Sequence, residues 1–267
     1  MSLLANNRLV PLISMLAVSI LTWFFMQQAS KGKKYFIRRI AGLDVLDEAL
    51  QRATELGGTV NFSVGDRASL SGILVSQTIA GFEILGHVAR YCGKMRTKLV
   101  CSIVGRSGSG GELVPIQAEI IRDAFAAGGA EEDFNVNMVV YLAGDSAGYE
   151  TSVYDFYKSY KVTTNVLIGA FAGKAATQPT FIAKALGIIN ITGTARMYAL
   201  PILAVSSDYF FVGEEIFAAG ASVSQDPETL ATIKLTDYVK YVLFVILILG
   251  SLSIWAGSNM IQRLLSY

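Results

Sequence analysis

The chain has 267 residues, of which 52% are hydrophobic and only 16% are charged, and its formal net charge is +1. Soluble domains usually carry roughly a quarter charged residues, so part of this chain faces something other than water. The near-zero net charge excludes the strongly basic class of nucleic-acid-binding proteins, and basic residues matter here only where they cluster.

Two uncharged runs near the ends of the chain predict membrane-spanning helices. Leu9–Ser30 contains no charged side chain, and at about 1.5 Å per residue its apolar part crosses most of a hydrocarbon core of about 30 Å. A cleaved signal peptide has a shorter apolar region and a small-residue cleavage site, so residues 1–30 are predicted to be a signal anchor. Tyr241–Gln262 is the second uncharged run, and it predicts a second span within residues 237–267.

A basic collar directly after the first run indicates the orientation of the chain. Its five members are Lys31, Lys33, Lys34, Arg38 and Arg39. Such a cluster binds anionic lipid headgroups, and an excess of Lys and Arg beside a span marks its cytoplasmic side. We therefore expect a protein of the cell (inner) membrane, in which residues 31–236 form a cytoplasmic domain and both termini lie on the opposite side.

Between the spans, hydrophobic patterns of helical type and of strand type alternate. Helices are predicted over residues 43–56 and over Ser76–Met95, Glu112–Ala127, Ser146–Tyr160, Ala175–Leu186 and Gly213–Ala221. Strands are predicted over Thr59–Val64, Lys98–Val104, Met138–Ala143, Asn165–Ala170, Ile188–Ile191 and Ile202–Ser206. Strands that alternate with helices of this length form βαβ units. The predicted fold class is therefore α/β, a Rossmann-like and mainly parallel sheet with helices on both faces, flanked by two transmembrane helices.

A glycine-rich turn after the second predicted strand is the best local candidate for ligand binding. It comprises Gly105, Arg106, Ser107, Gly108, Gly110 and Gly111. Backbone amides in such a turn, in front of a helix, attract phosphate, and α/β folds place ligands at the carboxyl ends of strands. The turn lacks the Lys and Ser/Thr of a Walker loop and the glycine spacing of a dinucleotide site. A flexible exposed turn explains the same glycines, so both interpretations stay open.

Acidic residues near predicted strand ends form a second candidate site. They are Asp145, Asp208, Glu214 and Glu215. Paired carboxylates can perform acid–base chemistry or bind Mg²⁺, and favourable interaction with helix termini explains acids at these positions as well. His87, the only histidine, has no base or nucleophile near it in sequence, and Cys92 and Cys101 lack the partners of a metal site. We predict buried free thiols, no metal site and no cofactor.

Residues 163–223 contain only six Lys, Arg, Asp or Glu side chains. Part of this segment is expected to be sheet core. Since large interfaces are depleted in charged residues, the segment also fits a face that copies of the chain bury against one another. Core alone, and core plus a subunit interface, both explain the composition.

Two sequence blocks resemble a known family. The first is residues 38–44 (RRIAGLD), continued by residues 48–49 (EA) and 52–57 (RATELG); the second is residues 207–209 (SDY) and 213–219 (GEEIFAA), followed by the closing hydrophobic span. These blocks are similar to an uncharacterised prokaryotic membrane protein family that is known only as a domain of unknown function. The resemblance runs from Ile37 to the end of the second span and implies a membrane-tethered α/β domain. It implies no activity and no catalytic residue.

The sequence contains no catalytic signature, and we predict no catalytic residue. The double anchor and the charge-poor segment favour a membrane-anchored α/β protein that self-assembles into a homo-oligomeric scaffold or ring at the cytoplasmic membrane face, because anchoring raises the effective concentration of weak lateral contacts. The alternative is a membrane-tethered nucleotide- or phosphometabolite-binding domain or enzyme, indicated by the α/β alternation and the glycine-rich turn. Expected partners are the lipid bilayer and copies of the chain, with no nucleic acid; other membrane proteins stay open as partners.

Overall fold

The computed structural model describes residues 9–32, 35, 39–104, 109–171 and 174–255. The chain divides into two compact units, one formed by Arg38–Ser224 and the other by the two ends of the chain. The described α-helices are α1 (Leu9–Ser30), α2 (Ala41–Glu55), α3 (Val75–Met95), α4 (Ser109–Ala127), α5 (Ser146–Ser159), α6 (Lys174–Ala185), α7 (Leu200–Ser206), α8 (Glu215–Ser224) and α9 (Pro227–Trp255). The described strands are β1 (Thr59–Ser63), β2 (Lys98–Val104), β3 (Val139–Ala143), β4 (Val162–Ile168), β5 (Ile189–Thr194) and β6 (Tyr209–Val212). Short 3-10 helices cover Gly72–Leu74, Glu131–Asp133 and Val136–Met138.

The unit Arg38–Ser224 is built on one six-stranded sheet. The strand order is β3-β2-β1-β4-β5-β6, and each neighbouring pair is parallel. The chain starts with β1 in the middle, builds outward to β3, and then returns to the other side of β1 with β4. This is the strand order of a Rossmann-like, doubly wound sheet. The predicted α/β fold class with a mainly parallel sheet is confirmed.

Helices cover both faces of this sheet. α2, α3, α4 and α8 pack on one face, and α5, α6 and α7 pack on the other. Every residue of β1 is buried: Val60 and Phe62 alternate with Asn61 and Ser63, so the two sets point to opposite faces. Burial on both faces is typical of parallel sheets, and it is why several of these strands have nearly continuous hydrophobic sequences.

One predicted strand is wrong. Ile202–Ser206 belongs to helix α7, and the last strand of the sheet is Tyr209–Val212, which no prediction covered. The run has the composition of a buried strand, but Pro201 stands in the first helical turn, where its fixed φ favours a helix. The buried residues of α7 recur at intervals of three, which is helical spacing; they are Leu200, Leu203 and Ser206.

α1 and α9 belong to the second unit. The ring of Phe25, near the end of α1, packs against the ring of Tyr238 in α9 at a centroid distance of 5.4 Å. α9 is continuous from Pro227 through the charged segment that ends at Lys240 and into the uncharged run. Most of the large hydrophobic side chains of α1, and of α9 after Lys240, are exposed.

By length and composition, three helices among the described residues could cross a membrane. They are Val10–Ser30, Gly72–Met95 and Pro227–Trp255. The sequence predicts two spans, so the helix at Gly72–Met95 is an additional candidate. Its most apolar window is 44% buried inside the protein, whereas the corresponding windows of the other two helices are 0% buried. Over its most apolar window, α3 therefore has a side that faces the protein core, which the corresponding windows of α1 and α9 lack.

Candidate functional site

The strand order reverses between β1 and β4, and sheets of this kind bind ligands outside the carboxyl ends of the strands at such a reversal. The loop after β1 begins with residues 64–67 (VGDR), and the loop after β4 begins with Gly169 and Ala170. Two backbone hydrogen bonds join the loops: Ala170 N donates to Val64 O at 2.9 Å, and Arg67 N donates to Ala170 O at 2.9 Å. The crevice of an open Rossmann-like sheet is closed here by the chain itself.

Two glycines are required for this closure. Gly65 has a φ of +107° and Gly169 a φ of +147°, which are backbone conformations that side chains rarely adopt. A Cβ on Gly65 would overlap the Ala170 carbonyl, and a Cβ on Gly169 would overlap the Val64 carbonyl. The glycines of a dinucleotide site let the backbone approach a pyrophosphate, whereas these two let the loops approach each other.

Asp66 is a buried acidic residue in the first of these loops. The residue is 2% exposed, and its Oδ2 lies 3.4 Å from Nε of Arg67. A buried carboxylate needs a partner because its desolvation is costly, and the Arg67 guanidinium is such a partner. Asp66 could have been noticed in the sequence as an acid directly after a predicted strand, but a Gly-Asp pair is more typical of a turn.

Gln77 joins the start of α3 to the end of β5 at the carboxyl edge of the sheet. Its Oε1 accepts hydrogen bonds from Thr194 Oγ1 at 3.2 Å and from Ala195 N at 3.3 Å. Gln77 is buried. Together with the paired loops, this contact cross-links the described part of the carboxyl edge at β1, β4 and β5.

A row of buried asparagines runs through β1, β4 and β5. Asn61 Nδ2 donates to Asn165 Oδ1 at 2.7 Å, and Asn165 Nδ2 donates to Asn190 Oδ1 at 2.8 Å. Asn190 Nδ2 then donates to the carbonyl of Ser206 in α7 at 3.0 Å. All three asparagines are fully buried, so the row fixes the strands and α7 relative to one another.

Buried hydroxyl groups lie beside this row. The Tyr149 hydroxyl of α5 is close to those of Ser63, Ser102 and Tyr157, yet within the described part of the chain the hydroxyls of Ser102, Tyr149 and Tyr157 have no partner at hydrogen-bond geometry. Burial raises the pKa of Tyr149 to about 12. The phenol therefore stays protonated at neutral pH and cannot act as a general base.

The predicted glycine-rich turn falls mostly outside the described residues, which do not include Gly105, Arg106, Ser107 and Gly108. Gly110 and Gly111 lie in the first turn of α4, and Gly111 is exposed. A phosphate role for this turn stays a prediction.

The basic collar is partly described. Lys33, Lys34 and Arg38 lie outside the described residues, and Lys31 is exposed. Arg39 donates to both carboxylate oxygens of Asp44 through Nε and Nη2, at 2.9 to 3.1 Å. Its headgroup role, like that of the other collar residues, stays a prediction.

The structure does not bring the four predicted acids together. Asp145 follows β3 and Glu214 and Glu215 follow β6, and these strands are the opposite edges of the sheet. Asp145 accepts a hydrogen bond from Gly148 N at 2.7 Å and so caps α5, while Glu215 accepts from Val212 N at 3.0 Å. Asp208 accepts from Asn190 N at 2.7 Å at the amino end of β6. Among the described residues, no group of three or more His, Cys, Asp or Glu could hold a metal ion.

The histidine and the cysteines have local structural explanations. His87 Nε2 lies 2.8 Å from Asp47 Oδ1, a contact between α3 and α2 that sequence spacing could not indicate. Cys92 and Cys101 are free and buried, as predicted. Burial raises the pKa of Cys92 to about 12 and that of Cys101 further, so neither thiol is reactive at neutral pH.

The two sequence blocks that resemble a family meet in the structure. A Cβ on Gly42 of α2 would overlap the rings of Tyr209 and Phe211 in β6, so helix and strand are in close contact. A cavity of about 400 Å³ at the amino ends of β5 and β6 is lined by members of both blocks, among them Glu48, Arg52 and Asp208. Glu48 and Arg52 pair with each other at 2.6 Å, so their charges balance. The blocks are therefore linked by packing, and they line a shallow cavity in which Glu48 and Arg52 form an ion pair.

Comparison with known proteins identifies a family that covers nearly the whole chain. No curated protein is significantly similar to the chain in sequence. One family model matches residues 1–265, which is nearly the whole chain. The match confirms the resemblance to a family of unknown function. The chain belongs to the family described as "Domain of unknown function (DUF6754)".

Proposed function

We propose that the protein is a membrane-anchored α/β module whose copies associate into a scaffold at the cytoplasmic face of the cell (inner) membrane. The exposure of α1 and α9 carries the anchoring part of this proposal. In α1, Ile13, Ile20 and Trp23 are each more than half exposed, and in α9 the large hydrophobic side chains from Tyr241 to Trp255, apart from Ile246, are exposed. A bilayer buries apolar surface of this extent, which would otherwise cause aggregation in water.

The distribution of charge supports a two-span hairpin. The basic collar follows α1, and Lys234 and Lys240 precede the uncharged part of α9. The Phe25–Tyr238 contact joins the collar end of α1 to the segment of α9 just before its uncharged part, as a hairpin requires. Under the positive-inside rule, the central domain is then cytoplasmic and both termini lie on the other side.

The charge-poor segment, residues 163–223, supports association between copies. Three of its charged groups have partners within the chain: Lys184 Nζ donates to Val205 O at 2.6 Å, and Asp208 and Glu215 accept from backbone N–H groups at 2.7 and 3.0 Å. Large hydrophobic side chains of the segment remain exposed, namely Phe181, Met197, Tyr198, Ile202, Val205 and Val212. Depletion of charge is typical of the centre of an interface, and confinement to one membrane makes weak contacts sufficient for assembly.

Particle mass after extraction tests association, and a carbonate wash tests anchoring. We expect the protein to stay in the membrane pellet at alkaline pH, and light scattering and negative-stain imaging in mild detergent or nanodiscs to show particles of several copies. Recovery in the soluble fraction would contradict anchoring. A single copy at every protein concentration, in detergent and in nanodiscs alike, would contradict association.

Binding of a nucleotide or phosphometabolite is the second candidate function. The strand order β3-β2-β1-β4-β5-β6 favours it, since dinucleotide-binding proteins share this order, although a fold does not imply a function. The joined loops argue against a phosphate at the strand reversal, so a ligand would have to use the glycine-rich turn after β2. Thermal-shift screening with nucleotides, nicotinamide cofactors and sugar phosphates tests this function. A shift that Arg106→Ala removes would support it, and no shift with any compound would contradict it.

A further inference from the structure

The sheet face that α5 covers contains four buried polar atoms that have no hydrogen-bond partner among the described residues. They are Asn61 Oδ1, Ser102 Oγ and the hydroxyl oxygens of Tyr149 and Tyr157. Each of these residues is at most 1% exposed. A buried polar atom without a partner costs folding free energy, because it has given up its hydrogen bonds to water. We call these four residues the polar cluster.

Two neighbouring strands form the floor of the polar cluster. Phe62 of β1 pairs with Cys101 of β2, so the residues that follow them, Ser63 and Ser102, lie side by side. Side chains alternate between the two faces of a strand, so Asn61, two residues before Ser63, is on the same face. The register therefore brings polar side chains of both strands together at one place in the core.

Helix α5 covers this place with two tyrosines. Val100, which lies on the same side of β2 as Ser102, packs in one hydrophobic cluster with Tyr149 and Tyr157. The Tyr149 hydroxyl is close to those of Ser63, Ser102 and Tyr157. The polar atoms are thus enclosed between two strands and a helix.

The polar cluster has the donors and acceptors that a water molecule requires. A hydroxyl can donate one hydrogen bond and accept others, whereas an amide oxygen only accepts. Asn61 Nδ2 already donates to Asn165 Oδ1 at 2.7 Å, and Asn61 Oδ1 is left as an acceptor. A buried water typically makes about three hydrogen bonds, and its partners are buried polar groups that would otherwise have none.

We propose that the polar cluster binds an internal water molecule. Its ligands are the Tyr149 and Tyr157 hydroxyls, Ser102 Oγ and Asn61 Oδ1. The water joins β2 and α5 to the row of asparagines, which continues through β4 and β5 to α7. One hydrogen-bonded layer then extends through the core from β2 to α7, and such a fully satisfied layer makes the core rigid.

Crystallography of the full chain in a lipidic mesophase, at a resolution that shows ordered water, tests the proposal. We expect a density peak about 2.7–3.2 Å from at least three of the four atoms. Absence of a peak at this position would overturn the proposal. A peak with oxygen neighbours at about 2.0–2.6 Å would identify a metal ion and would overturn it as well.

The sign of a stability change gives an independent readout. Tyr149→Phe removes a hydroxyl that the water satisfies, so the folding equilibrium constant should fall by about tenfold, and Tyr157→Phe repeats the test at a second ligand. Tyr154→Phe is the matched control, because Tyr154 lies on the same helix and is 42% exposed; it should change the constant by about twofold at most.

Two outcomes of these titrations would contradict the water. If the hydroxyls have no partner in the folded chain, Tyr149→Phe and Tyr157→Phe should leave the folding equilibrium constant unchanged or raise it. A fall in both variants without a density peak would mean that the two hydroxyls bond directly to protein groups. Either result would overturn the proposal.

Discussion

α3 and α9 meet the same length and composition criteria for a membrane span, yet the structure uses them differently. α3 is 44% buried within the α/β unit over its most apolar window, and α9 is 0% buried over its own. The charged side chains of α3 and its histidine recur at intervals of four and three residues and therefore lie on one side; they are Glu83, His87, Arg90 and Lys94. α9 has no charged side chain from Tyr241 to Trp255. The arrangement of apolar residues around the helix, rather than their amount, separates a core helix from a proposed span.

The largest effect of a substitution is expected on the buried side of α3. Ile84 is fully buried, so Ile84→Ala should lower the free energy of unfolding by about 2–5 kcal/mol through lost contacts and a cavity. Ile79 on the same helix is 47% exposed, and Ile79→Ala should change it by at most about 0.5 kcal/mol. Denaturant titration followed by near-ultraviolet circular dichroism measures both. Equal losses would mean that α3 has no core-facing side.

Introducing a positive charge into α9 and, separately, into α3 tests whether the two helices have different roles. Leu249→Arg places a cation in the middle of the uncharged run of α9, at a cost of about 2.5–3.5 kcal/mol for membrane insertion. The fraction that resists a carbonate wash should fall. The same change at Ile79 should leave this fraction unaltered, because that side of α3 is solvated in the α/β unit. Loss of membrane integration in Ile79→Arg would instead identify α3 as a third span.

The buried thiol of Cys92 in α3 should make the free energy of unfolding depend on pH. Burial raises the pKa of Cys92 to about 12, whereas an unfolded cysteine has a pKa of about 8.5. The unfolded chain therefore loses this proton first, so the contribution to stability is complete below about pH 8.5 and is lost as the pH rises toward 12. Near pH 10 the loss attributable to Cys92 should be about 2 kcal/mol relative to neutral pH. Unfolding titrations at the two pH values should show a smaller loss for Cys92→Ala; an identical loss would contradict this origin.

The smallest effect is expected on the polar side of α3. His87 Nε2 lies 2.8 Å from Asp47 Oδ1, and the two side chains are 28% and 47% exposed. Solvent screens such a pair, so a double-mutant cycle with His87→Ala and Asp47→Ala should give a coupling below about 1 kcal/mol. A larger coupling would show that this side of α3 holds α2 in place and is more than a solvated face.

Where the pattern is local, the sequence predicted the element well. β2 spans Lys98–Val104 in both the prediction and the structure, because a short buried run between a helix and a glycine turn has few alternatives. β4 begins at Val162 rather than Asn165, since Thr164 and Asn165 are buried by partners in β1 and β5 that composition does not reveal. α7 was predicted as a strand because hydrophobicity alone cannot tell a short buried strand from a short helix.

The sequence predicted less of the candidate site than of the secondary structure. Asp66 and Gln77 gain their positions from Arg67, Thr194 and Ala195, and the last two lie more than one hundred residues from Gln77. The predicted acids were each placed at a strand end, but the strand order sends β3 and β6 to opposite edges. A pattern can indicate that a residue ends a strand; it cannot indicate which other strand ends beside it.

Composition and periods of two and of three to four residues were enough to predict the two uncharged terminal runs, the basic collar and the alternation of strands and helices. The strand order, the closure of the crevice by Gly65 and Gly169, and the exposure of the apolar side of α7 became visible only in the folded chain. Each of these depends on hydrogen bonds and packing between segments far apart in the chain, and such contacts form only once the sheet has assembled.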